Sequence, residues 1–240
     1  MSTHDDAPQL PEPRAPEPLR LNWFRNRRAV TLAILASWSG LGIVFATHTG
    51  TVPERLLTAC GVQLLIIAIV LPAVSAGGRR TFDVLCRGGS VNDAFGAGVL
   101  VVAAITAKIT LIEALQVYLL MSTVGLVCLG VYCWVRGTGQ STARTAGITA
   151  VVGLAIWAGP FTATGAGFDP QGLEGQTVGV RMLANADLHA AFSACLGLAD
   201  SPVPWYGVLL VYVAAAGLVW SGSLILAGGA QPADRRDNTA

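Results

Sequence analysis

Residues 205–226 read WYGVLLVYVAAAGLVWSGSLIL, 22 positions without a charge. A helix of that length is about 33 Å long at ~1.5 Å per residue, enough for the ~30 Å hydrocarbon core of a bilayer. A soluble helix needs one apolar stripe, whereas this stretch is apolar all round. It is not alone. Residues 29–47 (19 positions), 56–76 (21) and 114–135 (22) are also uncharged. Several such runs in one chain point to an all-α, polytopic integral membrane protein. Hydrophobic residues make up 53% of the chain, charged ones 12%, and mean hydropathy is +0.59. Soluble domains carry about 25% charged residues. A net charge of +1 gives no bulk field to attract nucleic acid. The first apolar run is long enough to span, so it reads as a retained first helix rather than a signal peptide.

Two further runs set the number of crossings. Residues 145–164 are uncharged over 20 positions and interrupted by Pro160, and residues 94–107 give only 14 before Lys108. Fourteen is short for a crossing, so the third span, taken as 94–109, is expected to be short or re-entrant. Cytoplasmic flanks of membrane helices collect Lys and Arg. With six crossings and both termini inside, 12 of the 15 basic residues fall on the cytoplasmic side, and Arg55, Lys108 and Arg181 fall outside. Treating 94–135 as one crossing sends Arg136, Arg144, Arg235 and Arg236 outward and largely erases the bias. The expectation is six transmembrane helices, at about 29–47, 56–76, 94–109, 114–135, 145–164 and 205–226, in the cell (inner) membrane.

The flanking segments follow from the same logic. Residues 1–18 hold five prolines and few apolar residues, the composition of a disordered cytoplasmic tail. Residues 19–28 mix Leu19, Leu21, Trp23 and Phe24 with four arginines. This suits an amphipathic segment in the membrane interface, and an ordinary positive-inside flank equally well. Residues 228–240 form a second cytoplasmic tail. Residues 165–203 are the longest stretch between spans and are expected to be an outer cap. Within them 182–198 is apolar at Leu183, Ala186, Ala190, Phe192, Cys195 and Leu196, which suggests a short amphipathic or re-entrant helix. The cytoplasmic loop 77–93 contains Arg79, Arg80, Phe82, Asp83, Leu85 and Arg87. Phe82 and Leu85 at helical spacing suggest a short helix lying on the membrane and ended by Gly88-Gly89.

Catalytic constellations are missing from the sequence, so no enzyme activity, cofactor or metal is expected. The histidines (His4, His48, His189) are scattered, and no His-Glu-x-x-His, Cys-x-x-Cys or Walker motif occurs. Cys60, Cys86, Cys128, Cys133 and Cys195 read as small buried hydrophobes rather than a disulfide framework. Gly96 and Gly98 read as small residues at a helix interface. Ionisable residues at membrane depth are functional candidates by default. Lys108 and Glu113 qualify, and interfacial snorkelling explains both more simply than a transport role does. Gln63, in the middle of the second run, reads as a hydrogen-bonding contact between helices or as a substrate contact.

The order of these features resembles the permeases of ABC transporters, in the type-2 exporter class. Leu71-Pro72-Ala73 closes the second span, as in that family. Gly78-Arg79-Arg80-Thr81-Phe82-Asp83-Val84-Leu85 looks like a degraded form of the family's coupling patch. Residues 125–135, followed by the polar turn 136–145, are similar to its fourth span and the turn into the fifth. Ala184-Asn185-Ala186-Asp187 stands where many members carry Asn-Pro. The third span is shorter than the family's usual length. The resemblance implies a permease subunit that pairs with itself or with a sister subunit. It also implies a separate ATPase docked on the loop bearing Arg79, Arg80, Phe82, Asp83, Leu85 and Arg87. The alternative is a non-transporting membrane subunit that anchors or scaffolds another complex.

Overall fold

A computed structural model of the protein describes residues 27–75, 81–165, 186–198 and 204–229. Within them lie seven helices and no strand. They are α1 (Arg27–Thr47), α2 (Val52–Ser75), α3 (Thr81–Thr106), α4 (Leu111–Gly137), α5 (Thr142–Gly165), the short α6 (Leu188–Cys195) and α7 (Trp205–Gly229). The expected tail 1–18, most of segment 19–28, Arg79 and Arg80, the stretch 166–185 of the outer cap, and residues 230–240 lie outside the described residues.

Five helices are long and apolar enough to cross a membrane: α1, α2, α3, α4 and α7. The sixth long helix, α5, has a described apolar stretch over Thr142–Ala158. The outside of the bundle is as apolar as a core. Ile105 is 78% exposed and Leu218 76%, and each of the six long helices presents at least one large exposed apolar side chain. A water-soluble monomer does not present apolar surface on that scale. The chain is therefore built as an integral membrane protein.

The third span departs most from expectation. The sequence suggests a membrane-surface helix stopping at Gly88-Gly89, then a short crossing from residue 94. Instead one 26-residue helix runs unbroken from Thr81 to Thr106, and Val84–Thr106 is long and apolar enough to cross. A glycine inside a helix costs about 1 kcal/mol relative to alanine, and here packing offsets it. A side chain at Gly88 would overlap Leu129 of α4, and one at Gly96 would overlap the Tyr118 ring. These glycines let α3 and α4 approach closely rather than turn the chain.

Local signals fix the helix ends. Thr110 and Glu113 form a capping box at the start of α4. The Thr110 hydroxyl accepts from the Glu113 amide at 3.2 Å, and the Glu113 carboxylate accepts from the Thr110 amide at 2.6 Å. Asp187 caps α6 by accepting from the Ala190 amide at 3.0 Å. That helix ends at Gly197 (φ 64°), where the Leu198 amide donates to Ser193 and the Gly197 amide to Ala194. This is the paired closure that a left-handed glycine permits.

α4 sits at the centre and packs on α2, α3, α5, α6 and α7. Three tryptophans tie neighbouring helices by donating an indole N–H to a main-chain carbonyl. Trp38 of α1 reaches Ala94 of α3 at 3.0 Å, Trp157 of α5 reaches Gly61 of α2 at 3.1 Å, and Trp220 of α7 reaches Leu126 of α4 at 3.0 Å. The cap region appears as α6, whose Leu188, Ala191, Phe192 and Cys195 are buried against α2, α4 and α7. It is inserted into the end of the bundle rather than laid across it. The Tyr212 hydroxyl of α7 fixes its start by donating to the Ala186 carbonyl at 3.1 Å.

Candidate functional site

With α3 unbroken, polar side chains assigned to a cytoplasmic loop now lie within a helix of membrane length. Arg87 is about one turn into the apolar stretch, and Asn92 and Asp93 are about one and a half turns deeper. Arg87 is 5% exposed, and its Nη1 meets no hydrogen-bond partner. Asn92 is 3% exposed. Its amide packs against Gly125 of α4, where a side chain would overlap it, and its Oδ1 has no partner. Asp93 lies on the exposed side of α3 and accepts a 2.6 Å hydrogen bond from the Tyr118 hydroxyl of α4.

On α2, Gln63 joins this set. It is 1% exposed, and neither its amide oxygen nor its nitrogen has a protein partner. A buried polar group left unpaired costs about 1–3 kcal/mol. Gln63, Arg87 and Asn92 come from two helices that both pack on α4. They are buried polar groups in a bundle whose other buried side chains are mostly apolar. Such a set can bind or pass a polar or charged group at a depth where water is scarce.

Of the sequence-derived docking residues, the structure describes the side chains of Leu85 and Arg87. Arg79 and Arg80 lie outside the described residues, and Phe82 and Asp83 belong to the first turn of α3. Leu85 is half-buried and packs against the main core, and Arg87 is buried. The expected end of a surface helix at Gly88-Gly89 is thus corrected, because α3 continues through both glycines. Leu85 and Arg87 follow the helical phase of α3 and turn inward. Glu113, one of the two ionisable residues expected at membrane depth, is engaged in the α4 capping box, and Lys108 is exposed in the α3–α4 turn.

Arg87 and Asp93 are the intramembrane ionisable residues that sequence reasoning missed. A signal for them existed. Val84, Val91, Phe95 and Val99 recur at helical spacing straight through Gly88-Gly89, and all four are buried.

Other chemistry is sparse. The five cysteines are free thiols. Burial pushes the Cys195 thiol of α6 up to about 12, and the nearby Glu113 adds to the effect, so it stays protonated at physiological pH. Among the described residues no group of three or more His, Cys, Asp or Glu is placed to hold a metal ion. Comparisons with known protein families, with characterised proteins and with solved structures give no match to this chain.

Proposed function

We propose that the chain is the membrane-embedded subunit of a transport system. It would cross the cell (inner) membrane six times, α5 being the fifth crossing, with both termini cytoplasmic. The observation that carries this reading is a set of buried polar side chains with unpaired atoms, both amide atoms of Gln63, Nη1 of Arg87 and Oδ1 of Asn92, within helices of membrane length. An inert anchor gains nothing from such groups, because apolar side chains in their place make a more stable bundle. A path for polar cargo requires them. The six-crossing topology rests on the distribution of basic residues.

The finer form of the proposal is the permease of an ABC-type exporter, working as a homodimer or with a sister subunit and driven by a separate ATPase. The ATPase would dock where the connection 76–80 meets the first turn of α3, at Arg79, Arg80, Phe82 and Asp83. A second reading is a non-transporting subunit that scaffolds another complex. The inward turn of Leu85 and Arg87 favours it, because it leaves a smaller docking surface.

Purification in mild detergent, with identification of what accompanies the chain, separates the two. An accompanying ATPase whose turnover falls several-fold in Phe82→Ala, with normal membrane insertion, supports the permease. Absence of any ATPase from the wild-type preparation defeats the finer form. The transport reading as a whole fails if Arg87→Met and Gln63→Leu leave the activity of every accompanying partner unchanged.

A further inference from the structure

Apart from these buried polar groups, a cavity of about 340 Å3 lies between α2, α5 and α6. Leu64 and Phe192 are buried and form its floor. Trp157 forms one wall, held in place by its hydrogen bond to the Gly61 carbonyl. The room comes from Gly61 itself, where an added side chain would meet no atom within 4 Å. Thr58 and His189 supply the polar rim, and both are exposed. Thr58 lies near the start of α2, and Leu65 lines the cavity about 10 Å further along the same helix at ~1.5 Å per residue. The cavity is therefore polar toward the end of the bundle and apolar toward its middle, the polarity gradient of one leaflet of a bilayer.

We propose that this cavity binds one acyl chain of a single-chain amphiphile. The polar head sits at Thr58 and His189, and the chain runs along α2 toward Leu64 and Leu65. Its volume falls at the small end of the roughly 300–1,000 Å3 typical of small-molecule sites. That suits one chain and excludes a two-chain lipid taken in whole. A chain leaving the bilayer gains nothing from the hydrophobic effect, since lipid tails are as apolar as leucine. Selection therefore comes from shape, set by Gly61 and Trp157, and from the polar rim. The site stands independently of the transport reading.

The test uses the full chain in nanodiscs of unbrominated phosphatidylcholine, titrated with 9,10-dibromostearic acid while tryptophan emission is followed. The expected result is a saturable loss of emission, complete at one acid per chain. Trp157→Phe should lack that component. Gly61→Leu, which has open space to occupy, should abolish it. Thr58→Val should raise the midpoint several-fold at unchanged amplitude and gives a second check if Gly61→Leu folds poorly. Linear quenching that is equal in wild type and Gly61→Leu overturns the proposal. So does the same saturable signal from dibrominated phosphatidylcholine. Absence of any saturable component from the wild type also overturns it, and indicates that residues 166–185 or a second copy fill the space.

Discussion

Replacing Gln63 by leucine should make the protein more stable. Gln63 sits on the buried seam of α2 between Cys60 and Ile67, and its amide has no protein partner on either atom. Removing an unpaired buried polar group recovers about 1–3 kcal/mol. Leucine is close to glutamine in size, so the packing penalty is small, below about 1.5 kcal/mol for volume-conserving swaps. Net of that penalty the gain is up to about 3 kcal/mol, and at roughly 2–4 °C per kcal/mol for a chain of this size the apparent Tm should rise by up to about 12 °C. Thermal unfolding in mild detergent, followed by intrinsic fluorescence, reads this directly. Ile67→Ala, one turn along the same seam, calibrates the assay with an expected loss of about 2–5 kcal/mol. A fall in Tm for Gln63→Leu would refute the reasoning, because it would mean the amide is hydrogen-bonded in the native protein and holds helices together. A rise in Tm combined with lost partner activity is the outcome expected of a group kept for function rather than for folding.

Reporter fusions at Gly50, Gly139 and Gly172 should read outside, cytoplasmic and outside. Gly78, in the connection before α3, should read cytoplasmic, and an outside signal from Gly139 would remove the six-crossing topology. Gly153→Ala should destabilise by about 1–3 kcal/mol through overpacking, since its new methyl would lie 2.7 Å from the Ala68 Cβ and 2.8 Å from the Ala68 Cα on α2; an unchanged Tm would mean that α2 and α5 are not in close contact. Thr110→Ala should cost about 0.5–2 kcal/mol by removing one half of the α4 capping box, readable as a lower Tm. Cys195 should resist maleimide in intact membranes at pH 8, because its thiol is buried and protonated up to about 12; fast labelling there would show that α6 leaves the bundle.

Length and uniform apolarity made the spans at α1, α2, α4 and α7 legible, because bilayer thickness imposes a minimum that soluble folds do not. α3 was misread because glycine has two opposite uses. In a turn it supplies backbone freedom, and in a membrane helix it supplies closeness. Which use applies depends on what faces it, and Leu129 lies 41 residues further along the chain, beyond any local pattern. Misreading Gly88-Gly89 placed Arg87 and Asp93 in water on paper and concealed the polar part of the third span. Gln63 was legible as a mid-span polar residue. Its lack of a partner was not, because that depends on the neighbours three-dimensional packing supplies. The apolar character of 182–198 correctly suggested a helix in the cap. Its insertion between α2, α4 and α7 required knowing where those helices part.

The three indole ties sort the helices by what can slide. Trp38 joins α1 to α3, Trp220 joins α7 to α4, and the Tyr118–Asp93 bond links those two pairs. Trp157 joins α5 to α2. Each indole tie ends on a main-chain carbonyl, so the residue opposite can be exchanged freely without loosening it. Shear within either group breaks a directional bond that lipid cannot replace. Shear of the α2–α5 pair past the group around α4 mostly trades one set of apolar contacts for another, the directional link between them being the 2.8 Å bond from Arg55 Nη1 of α2 to the Phe45 carbonyl at the end of α1. Gln63 and the Gly61 cavity both belong to α2, the helix that carries this boundary. Any alternating movement of this bundle would therefore run along the boundary that carries both features, with the tryptophans acting as keyways that decide which surfaces are free to glide.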